Sequence, residues 1–152
     1  MLFKRVLEVD AMSLSPKISL HDHLDGSLRL ESIIELANAG EIALPESEVK
    51  SLRRWISDVC GSGTLANYLK SFAVTASVMQ TEAALTRIAR EYVIDAAMDG
   101  VIYAETRWAP LVHLRNNLTP KRAVEAVHRG LAEGMEIAGE NGHAIHVNQI
   151  LT

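Results

Sequence analysis

Cysteine is almost missing from this chain: Cys60 is the only one in 152 residues. A single thiol excludes an internal disulfide and any metal site built from paired cysteines, and it fits a reducing compartment. An excess of basic residues is missing too. Fifteen Lys and Arg stand against 19 Asp and Glu, a formal net charge of -4, so the footprint of a nucleic-acid-binding surface is absent. No apolar run approaches the roughly 20 residues that span a bilayer. The stretch from Met1 to Leu14 is broken by Glu8 and Asp10 and does not read as a signal peptide. Repeats and low-complexity tracts are absent. These absences lead us to expect a cytoplasmic protein with a small-molecule partner, no nucleic acid and no membrane.

What is present suffices for one domain over residues 1–152, with 48% hydrophobic residues to build its core. Lys17 to His23 reads as a strand, with Ile18 and Leu20 on one face and Ser19, His21 and His23 on the other. Helices follow over Leu28 to Ala39, from Val49 to just before Gly61, from the N-cap Thr64, and from Thr81 to Asp99. Val101 to Trp108 reads as a second strand, stopped by Pro110. Thr119 and Pro120 open a long helix to about Ala138, and His143 to Leu151 reads as a third strand. Strands separated by helices imply a parallel sheet with crossovers. A doubly wound sheet would place a glycine-rich turn after its first strand. Here the strand ends in histidines and a carboxylate, which favours a barrel with functional side chains at its strand ends. The expected fold is α/β: the N-terminal part of a (β/α)8 TIM-type barrel, about three of eight strands, with extra helices between the first and second.

The chemistry concentrates in His21-Asp22-His23-Leu24-Asp25-Gly26. Residues i and i+2 of a strand share a face and lie about 6.6 Å apart along it. Two imidazoles can therefore aim at one metal ion. Two partly exposed loop histidines fit the same spacing, and a catalytic zinc needs at least one further protein ligand.

The stretch from Pro16 to Ser27, Pro-Lys-Ile-Ser-Leu-His-Asp-His-Leu-Asp-Gly-Ser, closely resembles the first-strand motif of the adenosine deaminases, metal-dependent hydrolases built on a (β/α) barrel. Thr64 to Phe72 is similar to that family's helix beside the purine pocket. Gly100 to Pro110 is similar to its second strand. Leu118-Thr119-Pro120 and the helix carrying Gly130, Glu133 and Gly134 also match, so the resemblance runs from about Pro16 to Thr152. It implies one zinc per complete enzyme, with His21 and His23 as ligands. It also implies a substrate site in which His23 lies beside the nucleoside and Asp25 binds a ribose hydroxyl. Leu65, Tyr68, Leu69 and Phe72 would line that site. The implied reaction is hydrolytic deamination of adenosine and 2′-deoxyadenosine to their inosine forms, in purine salvage, by a water activated at the zinc. The lone Cys60 excludes the other deaminase class, whose zinc sits on paired cysteines.

Plainer readings stand beside these. Asp25 alone reads as a turn or cap carboxylate, and Asp22 as a structural neighbour of the histidines. The Tyr68, Leu69 and Phe72 stripe suits core packing as well as a pocket wall. Glu105 and Arg107 share a strand face and suit a structural network. His113, His128, His143 and His146 read as structural or surface residues, and Trp108, at a strand's C-terminal end, as packing ahead of a pocket border. The resemblance places a third zinc histidine, a zinc aspartate and an acid-base glutamate on later strands, beyond Thr152, so no catalytic residue of that kind is assigned here. We therefore expect a fragment of a longer protein that is inactive by itself. The rival expectations are a deaminase of adenine or another 6-aminopurine, and a non-catalytic chain.

Overall fold

The structure, a computed structural model, describes residues 15–152. The expectation about a leader in Met1 to Leu14 lies outside the described residues.

Three strands form one parallel sheet in the order β1 (Lys17–His23), β2 (Val101–Trp108), β3 (His146–Leu151). Between β1 and β2 run α1 (Leu30–Ala39), α2 (Val49–Cys60), α3 (Leu65–Val78) and α4 (Glu82–Met98), and α5 (Pro120–Glu140) joins β2 to β3. The expected threonine caps form, Thr64 and Thr119 accepting from the backbone N–H of Asn67 and Arg122, and Thr81, expected inside α4, caps it in the same way by accepting from Ala84 N–H.

Two boundaries move. Helix α1 starts at Leu30 rather than Leu28, because Leu24–Gly26 form a 3-10 turn and Arg29 stays extended at ψ 138°. The Arg29 guanidinium forks onto the Asp95 carboxylate of α4 at 2.6 and 2.9 Å and holds the linker there. Strand β3 starts at His146 rather than His143, because His143 completes the end of α5. Its N–H donates to Ala138 O at 2.9 Å while Gly142 takes φ +82°, the left-handed closure that ends many helices.

From Tyr103 on, alternation along β2 sorts its side chains. Ala104, Thr106 and Trp108 are buried under the helices, and Tyr103, Glu105 and Arg107 lie on the opposite, inner face. Strand β1 departs from the expected alternation. Ser19 pairs with Ala104 and Asp22 with Thr106, so Leu20 and His21 together stand against Glu105. This bulge puts Ser19 on the helix side with Asp22, and Ile18 and Leu20 on the inner side with the histidines, where they are exposed. The expected grouping of Ser19 with His21 and His23 is thus corrected.

The core lies between the helix-facing side of the sheet and the α4–α5 pair. Leu85, Ile88, Val93, Val127 and Leu131 are each at most 2% exposed. The two helices approach closely because α5 carries glycine where they cross. A Cβ on Gly130 would lie 2.2 Å from Thr86 O, and one on Gly134 2.6 Å from Val93 Cβ. A second clamp joins α1 to α4: buried Ser32 donates to Glu91 at 2.5 Å, and Arg87 binds both Glu91 and Glu35. Among the described residues no helix is long and apolar enough to cross a membrane.

Candidate functional site

The site begins where β1 ends. The bulge and the following 3-10 turn bring His21, His23 and Asp25 to the C-terminal edge of the sheet, next to the end of β2. The rings of His21 and His23 lie with centroids 5.6 Å apart, tilted by 48°. Two imidazoles on one tetrahedral ion, with metal–nitrogen bonds of about 2.0 Å, would place their centroids about 5 Å apart. The observed pair already stands near that spacing. Among the described residues, no group of three His, Cys, Asp or Glu is placed to hold a metal ion, so the pair supplies two ligands of a set that needs more.

Arg107 reaches across from β2. Its Nη1 stands 3.1 Å from His21 Nε2 and 3.3 Å from Nδ1. Near-equal distances to both ring nitrogens place the guanidinium over the face of the ring, as a cation against a π system, rather than along either in-plane lone pair. Glu105 does not pair with Arg107; it accepts from the Tyr103 hydroxyl at 2.9 Å.

Asp22 points to the opposite side. Its Oδ1 accepts from His23 N at 3.0 Å, and the single hydroxyl hydrogen of Ser27 is shared between His23 O at 2.7 Å and Asp22 Oδ1 at 3.3 Å. These bonds fix the strand-to-turn corner that aims both imidazoles. Beneath it Tyr92 faces Asp22, and burial first, then the Asp22 charge, pushes its phenol well above the ordinary value.

Asp25 sits in the turn with Oδ1 3.7 Å from His23 Nδ1. That oxygen is buried and has no hydrogen-bond partner. A buried carboxylate oxygen without a donor is costly, and its chemistry is to accept from whatever enters. The residue itself borders a cleft of about 560 Å³ lined also by His23, Tyr68, Leu69, Phe72 and Trp108, among others. Phe72 meets the His23 ring edge-on at 6.1 Å and Tyr68 lies 5.4 Å from Phe72. One wall is therefore aromatic and the other polar, suited to a flat ring carrying a hydroxylated appendage.

Of the residues singled out from the sequence, Tyr68, Leu69 and Phe72 meet His23 and Asp25 at this cleft. Leu65 does not: it opens α3, almost two helical turns from Phe72, and is 72% exposed. Two residues read as packing or structural prove to border the site. Trp108 is 1% exposed, yet its ring lines the cleft. His113 is fully buried behind it, its ring 5.6 Å from that of Trp108. Burial lowers the His113 pKa, with the Asp25 charge opposing. The signal for Trp108 was its place at a strand's C-terminal end; nothing in the local pattern marked His113.

Comparison with known proteins gives a coherent set. A family model described as adenosine deaminase matches residues 16–151. Adenosine deaminase 1 of Streptomyces coelicolor is 47% identical over 144 residues, which are 94% of this chain and 36% of that protein. Adenine deaminase from Arthrobacter aurescens superposes with a TM-score of 0.71 at 27% identity, over 90% of this chain and 39% of that one. Arabidopsis ADAL complexed with GMP superposes with a TM-score of 0.74 at 26% identity, over 93% and 41%. The chain thus spans about two fifths of the length of such relatives, and its three parallel strands are the N-terminal part of a (β/α)8 barrel.

Proposed function

We propose, from the premise that this chain belongs to the adenosine deaminase family, that it carries the first-strand zinc ligands and much of the nucleoside cleft of an enzyme that hydrolytically deaminates adenosine and 2′-deoxyadenosine. The observation that carries this reading is the pairing of two imidazoles 5.6 Å apart with an unpartnered Asp25 oxygen beside them at one cleft.

His21 and His23 would hold the zinc; their spacing fits, and the remaining ligands must come from elsewhere. Zinc there supplies Lewis-acid activation of the attacking water. The chain's own residues do the rest of what this half can do. Asp25 accepts from a ribose hydroxyl, a bond strengthened by the negative charge on its acceptor. Phe72, Tyr68 and Leu69 cover one face of the purine and keep water from it, while His23 lies beside it. Asp22 and Ser27 hold the corner so that both imidazoles stay on one face. A purine nucleoside is the small-molecule partner, and the cytoplasm is where such salvage would run.

The solved relative named adenine deaminase favours a second substrate, the free base. Asp25 argues for the nucleoside, since adenine brings no hydroxyl for it to accept. The test is turnover of adenosine against adenine by the complete barrel enzyme loaded with zinc, with zinc measured per chain. Preference for adenosine with zinc bound through His21 supports the reading. Adenine as the better substrate overturns the nucleoside assignment, and a zinc content unchanged in His21→Ala overturns the metal assignment.

A further inference from the structure

Pro110–His113 forms a short turn after β2 that packs against α3. His113 stands there fully buried, with Nδ1 3.2 Å from the main-chain oxygen of Met79. Met79 is the residue that closes α3. Carbonyl oxygens at a helix end have no partner within their own helix. A carbonyl only accepts, so Nδ1 carries the proton of the neutral ring and Nε2 is left as a bare acceptor. Nε2 is buried without a partner, as is Asp25 Oδ1, and the Asp25 charge reaches the ring. Two acceptors cannot bond each other, so the neutral imidazole leaves the Asp25 oxygen free for an incoming hydroxyl. On its other side the ring braces Trp108, which lines the cleft.

Packing alone would be served by an apolar side chain of the same volume, which avoids burying polar nitrogens. What the imidazole adds is a directional bond to the end of the helix that carries Tyr68, Leu69 and Phe72. We infer that His113 is a positioning residue of the cleft: its Nδ1–H fastens the end of α3 to the end of β2 and its ring braces Trp108, so that the aromatic wall stays opposite Asp25. This inference rests on the nucleoside reading above for its effect on substrate.

The test uses the complete barrel enzyme, with the remaining zinc ligands in place, in two variants, one fallback variant and two readouts. His113→Phe keeps the volume and removes the donor; His113→Asn keeps an amide donor close to the Nδ1 position. In His113→Phe, amide hydrogen exchange over the last turn of α3 should quicken at least about tenfold, since a fastening bond is lost. KM for adenosine should rise about tenfold with kcat within about twofold, as expected for lost ground-state positioning. His113→Asn should return both to within about threefold of the parent. Should the Phe variant fail to fold, His113→Gln, whose amide reaches toward Nε2 instead, should show the fast exchange and raised KM. Parent-like exchange and KM in His113→Phe or His113→Gln would overturn the inference. Damage to kcat and KM alike, equal in the Asn variant, would also overturn it and leave a packing role. Absence of adenosine turnover by the parent would fail the functional reading instead, and the exchange readout would still decide the fastening.

Discussion

The α4–α5 side of the molecule and the inner face of β1 are built on opposite terms. Where α4 meets α5, the centre of the contact is apolar and tight, glycine at positions 130 and 134 lets two backbones come together, and ion pairs such as Arg90–Glu133 lie along the edge. At the end of β1, two imidazoles stand exposed, a carboxylate oxygen is buried without a partner, and a guanidinium rests on the face of one ring. The first region has one arrangement available and holds the fold. The second leaves its polar groups unsatisfied by the protein, and that is what allows something else to satisfy them. Substitutions should therefore separate into those that cost structure and those that cost chemistry.

The comparison breaks first at Gly130. Gly130→Val should destabilise the protein by about 3 kcal/mol or more, because main-chain Thr86 O cannot yield to a side chain. A urea melt would read this, and a loss below about 1 kcal/mol would show that the helices can part. On the other side, His21→Ala should lower bound zinc and deamination by on the order of 100-fold, with the melting midpoint of the metal-free protein nearly unchanged. Metal analysis and melts on the same samples check both halves. Asp25→Asn should raise KM for adenosine by roughly 10- to 100-fold, the worth of a charge-assisted hydrogen bond; steady-state kinetics decide, and an unchanged KM removes Asp25 from the site.

The smallest effect is a pH dependence that joins the two regions. Burial keeps His113 neutral in the folded chain, so its folded pKa lies below the ordinary value of about 6.5. The unfolded chain then binds the extra proton first. The stabilising contribution is fully present above about pH 6.5 and is lost as pH falls toward the lowered folded value. Melting midpoints from pH 7 down to pH 5 should fall more steeply for the parent than for His113→Asn, which does not titrate. Parallel slopes would mean that other groups dominate acid sensitivity.

Much of this was legible in the sequence because local rules govern it. Threonine caps, the proline opening α5 and apolar periodicity located nearly every element, and the His21, His23 and Asp25 spacing announced the corner. Three features were not legible, each for a reason that depends on contacts distant in the chain. The bulge in β1 arises from register against β2, which no single-strand pattern reveals. The late start of β3 follows from His143 being consumed by the end of α5. The role of His113 depends on Met79, 34 residues away, and on a Trp108 ring that packing places beside it. Tyr68, Leu69 and Phe72 looked like core and like pocket wall alike, and the structure shows why: their helix presents them at the open edge of the core, above the turn that holds Asp25.

The bulge in β1 has one more consequence, for insertions and deletions. Its extra residue splits the strand into two separately phased halves, one keyed to Ala104 and the other to Thr106 and Arg107. Losing Leu20 would even the ladder from Ile18 onward, with Ser19 and Asp22 still under the helices and both histidines still on the inner side. Losing or gaining one residue between His21 and His23 would send one imidazole through to the helix layer. Two length changes separated by only a residue or two, nearly identical in composition, would thus have opposite fates: one absorbed by the slack in the strand, the other splitting the pair of imidazoles between two faces.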